Sequence, residues 1–310
     1  MFDAMAATGV RALRCFTEVP GIYTVCANDI DAAAVAEIRR TAESLGLDSR
    51  RVATTHGDAA DALYAARNGG LGRYDVVDLD PYGSAAPLLD AALQAVRDGG
   101  LLCVTGTDMA ILCGSQPDAA FARYGSVPVR VGGHHHEVSL RMLLHALSVA
   151  AAPHGRCIEP LLSVSIDHYI RVFVRVRRSA AIAATAAERS ALLLQSRSCV
   201  GFRLQPLVSR TGPNSFRPPL LAGRSRGSAP SIVVGSADSG SGDGSSGSGN
   251  GFGDSGNGSD SSGGNGSGES NWGSWRCPAT GGPVIIGGPI WAGPIHNSTW
   301  VRRAAAMVAD

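Results

Sequence analysis

Nowhere in its 310 residues does the chain hold the run of roughly 18 or more apolar residues that a membrane span requires. Its start, Met1-Phe2-Asp3-Ala4, carries neither the basic nor the apolar region of a secretory signal. Both absences point to a soluble, intracellular protein of nucleus, cytoplasm or organelle. A disulfide framework is missing too: the 7 cysteines are odd in number and scattered, which fits reduced thiols better than a covalent scaffold. There is no lysine. All 27 basic residues are arginine, whose planar fork suits phosphate, although genomic composition explains the bias as readily. A net charge of +1 offers no broad electrostatic footprint for nucleic acid. That average hides a Gly/Ser-rich tract holding Asp238, Asp243, Asp254, Asp260 and Glu269, without which the chain is mildly basic. Global charge therefore leaves the partner open. What is present, 44% hydrophobic residues, suffices to bury a core for one large domain with an appendage or for two modest domains.

Short apolar runs alternate with amphipathic stretches over the first half. Residues 22–27, 51–55, 74–79 and 101–105 are bounded by Gly, Asp or Asn, as buried parallel strands are. Between them residues 10–17, 31–45, 58–67 and 85–97 are rich in Ala, Leu, Arg and Glu and of helical length. A further helix is predicted at 137–150, followed by strands at 158–166 and 169–176, so close that they form an antiparallel hairpin at a sheet edge. The expected fold is α/β: a Rossmann-like, doubly wound, mostly parallel sheet of five strands closed by that hairpin, the layout of class I methyltransferases. This domain is expected over residues 1–178. Residues 179–222 begin a C-terminal module, with a helix at 180–195 and strands near 199–209; residues 223–274 form a disordered insertion, and residues 275–310, with a strand near 283–286, are the remainder of the module.

A doubly wound sheet binds ligands beyond the carboxyl ends of its central strands. Three acids stand there in order. Asp3 precedes the small-residue turn that runs through Gly9 to Arg11; Asp29 closes strand two, where a ribose-binding acid belongs; Asp58, followed by Ala59, closes strand three. Each has a plainer reading, since Asp3–Arg11 also describes a tight helix entrance and Asp58 an N-cap. A nicotinamide cofactor would demand G-x-G-x-x-G at the first turn, so that the diphosphate approaches a helix N-terminus. Here Gly9 stands alone, which favours the sulfonium cofactor S-adenosylmethionine.

Strand four ends in Asp80-Pro81-Tyr82-Gly83, the most specific feature of the chain. An exocyclic amine is conjugated to its ring and is a poor nucleophile. A side-chain oxygen and a backbone carbonyl that accept its two N–H groups localise the lone pair and aim it at an activated methyl. Proline holds such a turn without a competing N–H, and an aromatic ring stacks on a base pulled out of its helix or loop. In this scheme Asp80 orients the amine and receives its proton, the Pro81 carbonyl is the second acceptor, and Tyr82 stacks. The plainer alternative is a strand-end turn with a capping Ser84.

Residues 78–84, Gly99-Gly100-Leu101-Leu102-Cys103-Val104-Thr105-Gly106-Thr107-Asp108-Met109-Ala110, Tyr124-Gly125, His136-Glu137, Leu140-Arg141, Leu144-His145, residues 169–176 and Gly288-Pro289-Ile290-Trp291-Ala292-Gly293-Pro294-Ile295-His296 strongly resemble the tRNA (guanine-26-N2)-dimethyltransferase family. The resemblance implies transfer of one or two methyls from S-adenosylmethionine to N2 of a tRNA guanine. It places the cofactor against Arg11, Asp29, Asp58 and Ala59 and the catalytic acid at Asp80, and tRNA is the partner expected of a monomer. Against the family pattern the chain is expected to lack an N-terminal segment and most of a C-terminal domain. The alternatives are therefore a truncated, non-catalytic RNA-binding relative, or an N6-adenine methyltransferase that shares only the strand-four logic. The family's four-cysteine zinc site is reduced to Cys199 and Cys277, with Thr280 where a partner belongs, so zinc is not expected. His134-His135-His136 reads as surface or helix-entry histidines, since consecutive residues do not converge on one ion and no cysteine or acid cluster completes a set except Glu137. Arg171 and Arg175, with Arg177 and Arg178, are candidate phosphate contacts or else a charged sheet edge.

Overall fold

The computed structural model describes residues 1–68, 73–130, 133–212, 215–217, 276–277 and 279–309. The chain runs β1 (Phe2–Asp3), α1 (Val10–Glu18), β2 (Val25–Asp29), α2 (Ala32–Ser44), β3 (Val52–His56), α3 (Ala59–Arg67), β4 (Tyr74–Leu79), α4 (Leu89–Ala95), β5 (Val96–Gly106), α5 (Met109–Leu112), α6 (Pro117–Tyr124), α7 (His135–Ala151), β6 (Arg156–Ile166) and β7 (Tyr169–Arg178). Beyond these come α8 (Ala180–Ala183), β8 (Ser190–Ser196), β9 (Phe202–Pro206), β10 (Ser209–Gly212), β11 (Ser215–Arg217), β12 (Val284–Trp291) and α9 (Ser298–Ala309).

The seven-stranded sheet has the order β3-β2-β1-β4-β5-β7-β6. The first five strands are mutually parallel, and β7 and β6 add to β5 as the antiparallel hairpin that the short Asp167-His168 link demands. Chain order reverses between β1 and β4, so the crevice of a doubly wound sheet opens there. The central strands are dry: Phe2, Val77, Leu79, Leu102 and Val104 are fully buried, each worth about 1.5–3 kcal/mol of transfer free energy. Helix α7 packs against β6 and β7, with Met142, Leu143, Leu144 and Leu147 all fully buried.

Two helical expectations are corrected. Residues 85–97 hold a 3₁₀ turn at Ala86–Leu88 and α4, and Val96 already belongs to β5. Residues 180–195 hold only α8 and a 3₁₀ turn before β8, which lies between β12 and β9 in a three-stranded antiparallel sheet. The Leu192-Leu193-Leu194 run carries no period of its own, so its partners on both sides, not its propensity, make it a strand. The insertion expected at 223–274 lies outside the described residues. Arg141 donates to the carbonyls of Trp291 and Gly293, both at 2.9 Å, and Ser163 to that of Ile295 at 2.8 Å, which seats the 288–296 segment on α7 and β6.

Candidate active site

Parallel register sets Asp3 beside Asp78, and the ends of β1 and β4 therefore open side by side at the reversal point. From β1 the chain turns through Ala7 and Gly9, both with positive φ, and enters α1. Gly9 is required twice over: its φ is +75°, and a Cβ there would lie 2.7 Å from Ile38. Asp29 secures the turn, accepting from the Ala7 amide at 2.7 Å and from that of Asp31 at 2.9 Å. Asn28 ties the three strand ends together, donating to the carbonyls of Ala4 and Gly57 and accepting from Thr55. Asp58 is an N-cap: its Oδ1 accepts from Ala60 at 2.7 Å and Asp61 at 3.3 Å, while Oδ2 has no protein partner among the described residues. The Ala59 side chain is packed into the core, which leaves its backbone as the part that a ligand meets.

A cavity of about 610 Å³ lies over this crevice, with Asp3, Ala7, Arg11, Asp80, Pro81 and Tyr82 in its wall. Asp3 is 1% exposed and neither carboxylate oxygen has a hydrogen-bond partner. Burial first, then the neighbouring Asp78 carboxylate, pushes its pKa up to about 7. Buried polar atoms are seldom left orphaned, so an unpaired carboxylate on a cavity wall marks the place of a cationic or hydrogen-bonding ligand. Because this group binds its proton more tightly folded than unfolded, its contribution to stability is full below about pH 4 and is lost as pH rises through about 7. Asp3→Asn is therefore expected to gain on the wild type as pH rises above about 4, by about a further 2–3 kcal/mol between pH 5 and pH 8. Thermal unfolding at the two pH values checks this, and a variant that gains nothing on the wild type between them refutes it.

Arg11 spans the crevice, hydrogen-bonding the Asp80 carboxylate and lying 3.6 Å from Asp78. Asp78 in turn takes the Arg171 guanidinium at 2.7 Å, and Arg171 also donates to Thr105. The phosphate role expected for Arg171 is thereby corrected: its side chain is mostly buried, and its donors are committed across β5 to β4. Arg175 lies on the same strand 3.5 Å from Glu159 and stays one-third exposed. The Asp80–Gly83 turn stands at the rim. Gly83 has φ +101°, its amide donates to Thr107 Oγ1 at 2.6 Å, and the Thr107 amide returns a bond to its carbonyl at 3.0 Å. Tyr82 is fully exposed, an apolar ring offered to solvent beside the cavity.

Of the residues that hold this turn, only Ser84 has a role legible in the sequence, as a cap. Ser84, besides accepting from the Ala86 amide, meets the Tyr124 hydroxyl at 2.7 Å; Tyr124 donates to Asp108 at 2.8 Å, and Arg123 pairs with Asp108 at 2.9 Å. Thr107, Asp108 and Tyr124 all lie in stretches that carry the family resemblance, but nothing in their spacing shows that they meet Ser84.

Two metal expectations can be compared with the donors present. Cys199 and Cys277 do come together, with their sulfurs 3.6 Å apart, but the nearby side-chain groups are the hydroxyls of Ser196, Ser198 and Thr280. Two thiols among hydroxyls do not fit a tetrahedral structural zinc. The expectation that no cysteine joins the histidines is corrected, since ligand atoms of Cys113, His135 and His136 lie within 4.8 Å of one another. Each of Cys113 and His136 already has a serine partner, Ser139 and Ser165 respectively.

The whole chain, residues 1–310, matches the family model described as N2,N2-dimethylguanosine tRNA methyltransferase. The chain belongs to this family. It is 34% identical over 311 residues to the tRNA (guanine(26)-N(2))-dimethyltransferase of Drosophila melanogaster and 36% identical over 308 residues to that of Mus musculus. These matches cover 100% and 99% of the chain but 46% and 39% of the relatives, so the chain spans less than half the length of either. The fold is similar to that of Trm1 from Pyrococcus horikoshii, solved with S-adenosyl-L-methionine, with a TM-score of 0.61 and 30% identity over 71% of this chain and 62% of that one. A class I fold of five parallel strands and an edge hairpin is thus established. No helix among the described residues is long and apolar enough to cross a membrane.

Proposed function

We propose that the chain transfers one or two methyl groups from S-adenosylmethionine to the exocyclic N2 of guanine 26 in tRNA. The observation that carries this reading is the placement of the Asp80-Pro81-Tyr82 turn on the rim of the cavity that holds the unpaired Asp3 carboxylate, in a chain of this family. The domain limits that go with it are residues 1–178 for methyl transfer, with 179–222 and 275–310 as parts of one flanking module; pairing of β8 with β12 supports joining those two parts.

The residues present fit the cofactor. Asp3 supplies a buried anion for its ammonium group, Arg11 a cation for its carboxylate, Asp29 acceptors for the ribose hydroxyls, and the free Asp58 oxygen an acceptor for the adenine amine. When bound, S-adenosylmethionine provides a methyl group activated by the adjacent sulfonium. Asp80 then accepts one N–H of the guanine amine and the Pro81 carbonyl the other, which localises the nitrogen lone pair for in-line attack. The proton released as the new N–C bond forms passes to Asp80 and on to solvent. Tyr82 holds the unstacked base against its face, and the Thr107 and Ser84–Tyr124–Asp108 bonds keep the turn from yielding under that load.

Incubating the chain with labelled S-adenosylmethionine and unmodified tRNA, then analysing nucleosides, is expected to show N2-methylguanosine and N2,N2-dimethylguanosine at position 26. Label in adenine, or tRNA binding without transfer, overturns the reading. Tyr82→Ala is expected to leave the unfolding midpoint and cofactor affinity unchanged while lowering kcat/KM for tRNA about 10- to 100-fold, the value of one base–aromatic stack. Turnover at the wild-type rate would show that the ring does not hold the base.

A further inference from the structure

Seven cysteines are distributed over the chain, and among the described residues Cys199 and Cys277 are the pair whose sulfurs meet, at 3.6 Å. Cys199 lies in the turn between β8 and β9, half-buried; Cys277 lies ahead of β12 and is buried. The two segments are locked in register around them. The Arg197 amide donates to the Pro283 carbonyl at 3.0 Å, Ser198 and Thr280 share a hydrogen bond of 2.7 Å, and the Cys277 amide donates to Gly282 at 2.8 Å. A disulfide has a sulfur–sulfur bond of about 2.05 Å, so closure requires movement of only about 1.5 Å between atoms that already face each other. Hydroxyls of Ser196 and Thr280 on the Cys277 sulfur favour its thiolate and draw its pKa below the ordinary thiol range. Among the described residues no further thiol or imidazole is brought to the pair that would favour a metal over oxidation.

We propose that Cys199 and Cys277 form an oxidation site, a dithiol that exchanges with small-molecule disulfides of the glutathione type and closes as an intramolecular disulfide. The half-exposed Cys199 thiolate attacks one sulfur of the outside disulfide and expels one thiolate, which takes up a proton. The Cys277 thiolate then attacks the Cys199 sulfur of the mixed disulfide and releases the second thiol. Two protein thiols are oxidised by two electrons and one disulfide is reduced to two thiols, so no other oxidant is needed. The product fastens the β8–β9 turn to the start of β12 and closes a long loop, which restricts the unfolded chain. This inference is independent of the proposed methyl transfer.

The purified chain is equilibrated with mixtures of reduced and oxidised glutathione, quenched with acid, alkylated and digested with trypsin without reduction. Cleavage after Arg197, Arg203, Arg276 and Arg302 yields peptides 198–203 and 277–302. The expected result is a disulfide-linked 198–203/277–302 species that disappears on reduction, together with a raised unfolding midpoint for the oxidised chain. Cys277→Ser is expected to stop at a persistent glutathione adduct on Cys199. Failure to form the linked species where other exposed thiols are oxidised, or a lasting glutathione adduct on wild-type Cys199, overturns the proposal. A lower unfolding midpoint on closure does so as well, since it shows a pair not built to join.

Discussion

Asp80→Ala is expected to reduce methyl transfer to tRNA about 10³-fold, with a much smaller effect on binding of S-adenosylmethionine. In the proposed mechanism the loss combines two effects of the same side chain: the acceptor for the amine N–H disappears, and so does the group that would receive its proton. Cofactor affinity is expected to be largely spared because the acids to which the proposed reading gives the anionic contacts lie elsewhere, Asp3 on β1, Asp29 on β2 and Asp58 at the start of α3. Arg11 loses its closest carboxylate but stays within 3.6 Å of Asp78, so it keeps an acidic neighbour. Asp80→Asn retains an oxygen acceptor but brings a competing NH₂ and cannot take the proton, and it should fall between wild type and alanine. Single-turnover transfer with unmodified tRNA, paired with calorimetry for the cofactor, separates the two effects. Transfer by Asp80→Ala at more than a tenth of the wild-type rate would remove Asp80 from the chemistry.

The largest stability effect is expected at Arg171. Replacement by methionine keeps the bulk of the side chain but leaves Asp78, 3% exposed, without its 2.7 Å partner. Breaking a buried ion pair from one side costs up to about 3–5 kcal/mol where the remaining charge is uncompensated, and Arg11, 3.6 Å from Asp78, offsets part of that cost here. The cost is aggravated by Asp3, whose buried carboxylate lies next to Asp78 and is already driven toward its neutral form. Adding Asp78→Asn removes the orphaned charge and should recover roughly half of the loss, a coupling that residues without shared partners do not show. Urea unfolding of both single variants and the double variant measures it. If Arg171 instead gripped a phosphate, Arg171→Met would leave the midpoint unchanged and flatten the salt dependence of tRNA binding by about one unit of slope.

Arg171 also shows where reading a sequence reaches its limit. Along β7 the arginines alternate with Ile170, Val172, Val174 and Val176, which marks a strand with one buried face and one polar face. The pattern cannot say that the polar face of this strand lies against another strand's carboxylate. That depends on β7 pairing with β5 and on β5 pairing with β4, contacts between residues 93 positions apart. Likewise Asp58 was legible both as an acid at a strand end and as an N-cap, but only the folded structure shows that one oxygen caps α3 while the other has no protein partner among the described residues. The Leu192–Leu194 run was unreadable for another reason: burial on both sides erases the alternation from which a strand is recognised.

What the amino-acid order determined by itself was local or strictly periodic: the alternation of strands and helices in the first half, the edge hairpin forced by a two-residue link, the acids at successive strand ends, and the Asp80-Pro81-Tyr82-Gly83 turn. These follow from backbone stereochemistry and from apolar spacing, which act over a few residues. Tertiary structure alone decided which charges meet and which are left without a partner. It joined Arg11 to Asp80 and Arg171 to Asp78, left Asp3 unpaired on the cavity wall, set Ser84 on Tyr124, and brought Cys199 to Cys277 across 78 positions. The physical reason is that an ion pair or a thiol contact depends on distance in space and on exclusion of water, and both exist only once the sheet has closed.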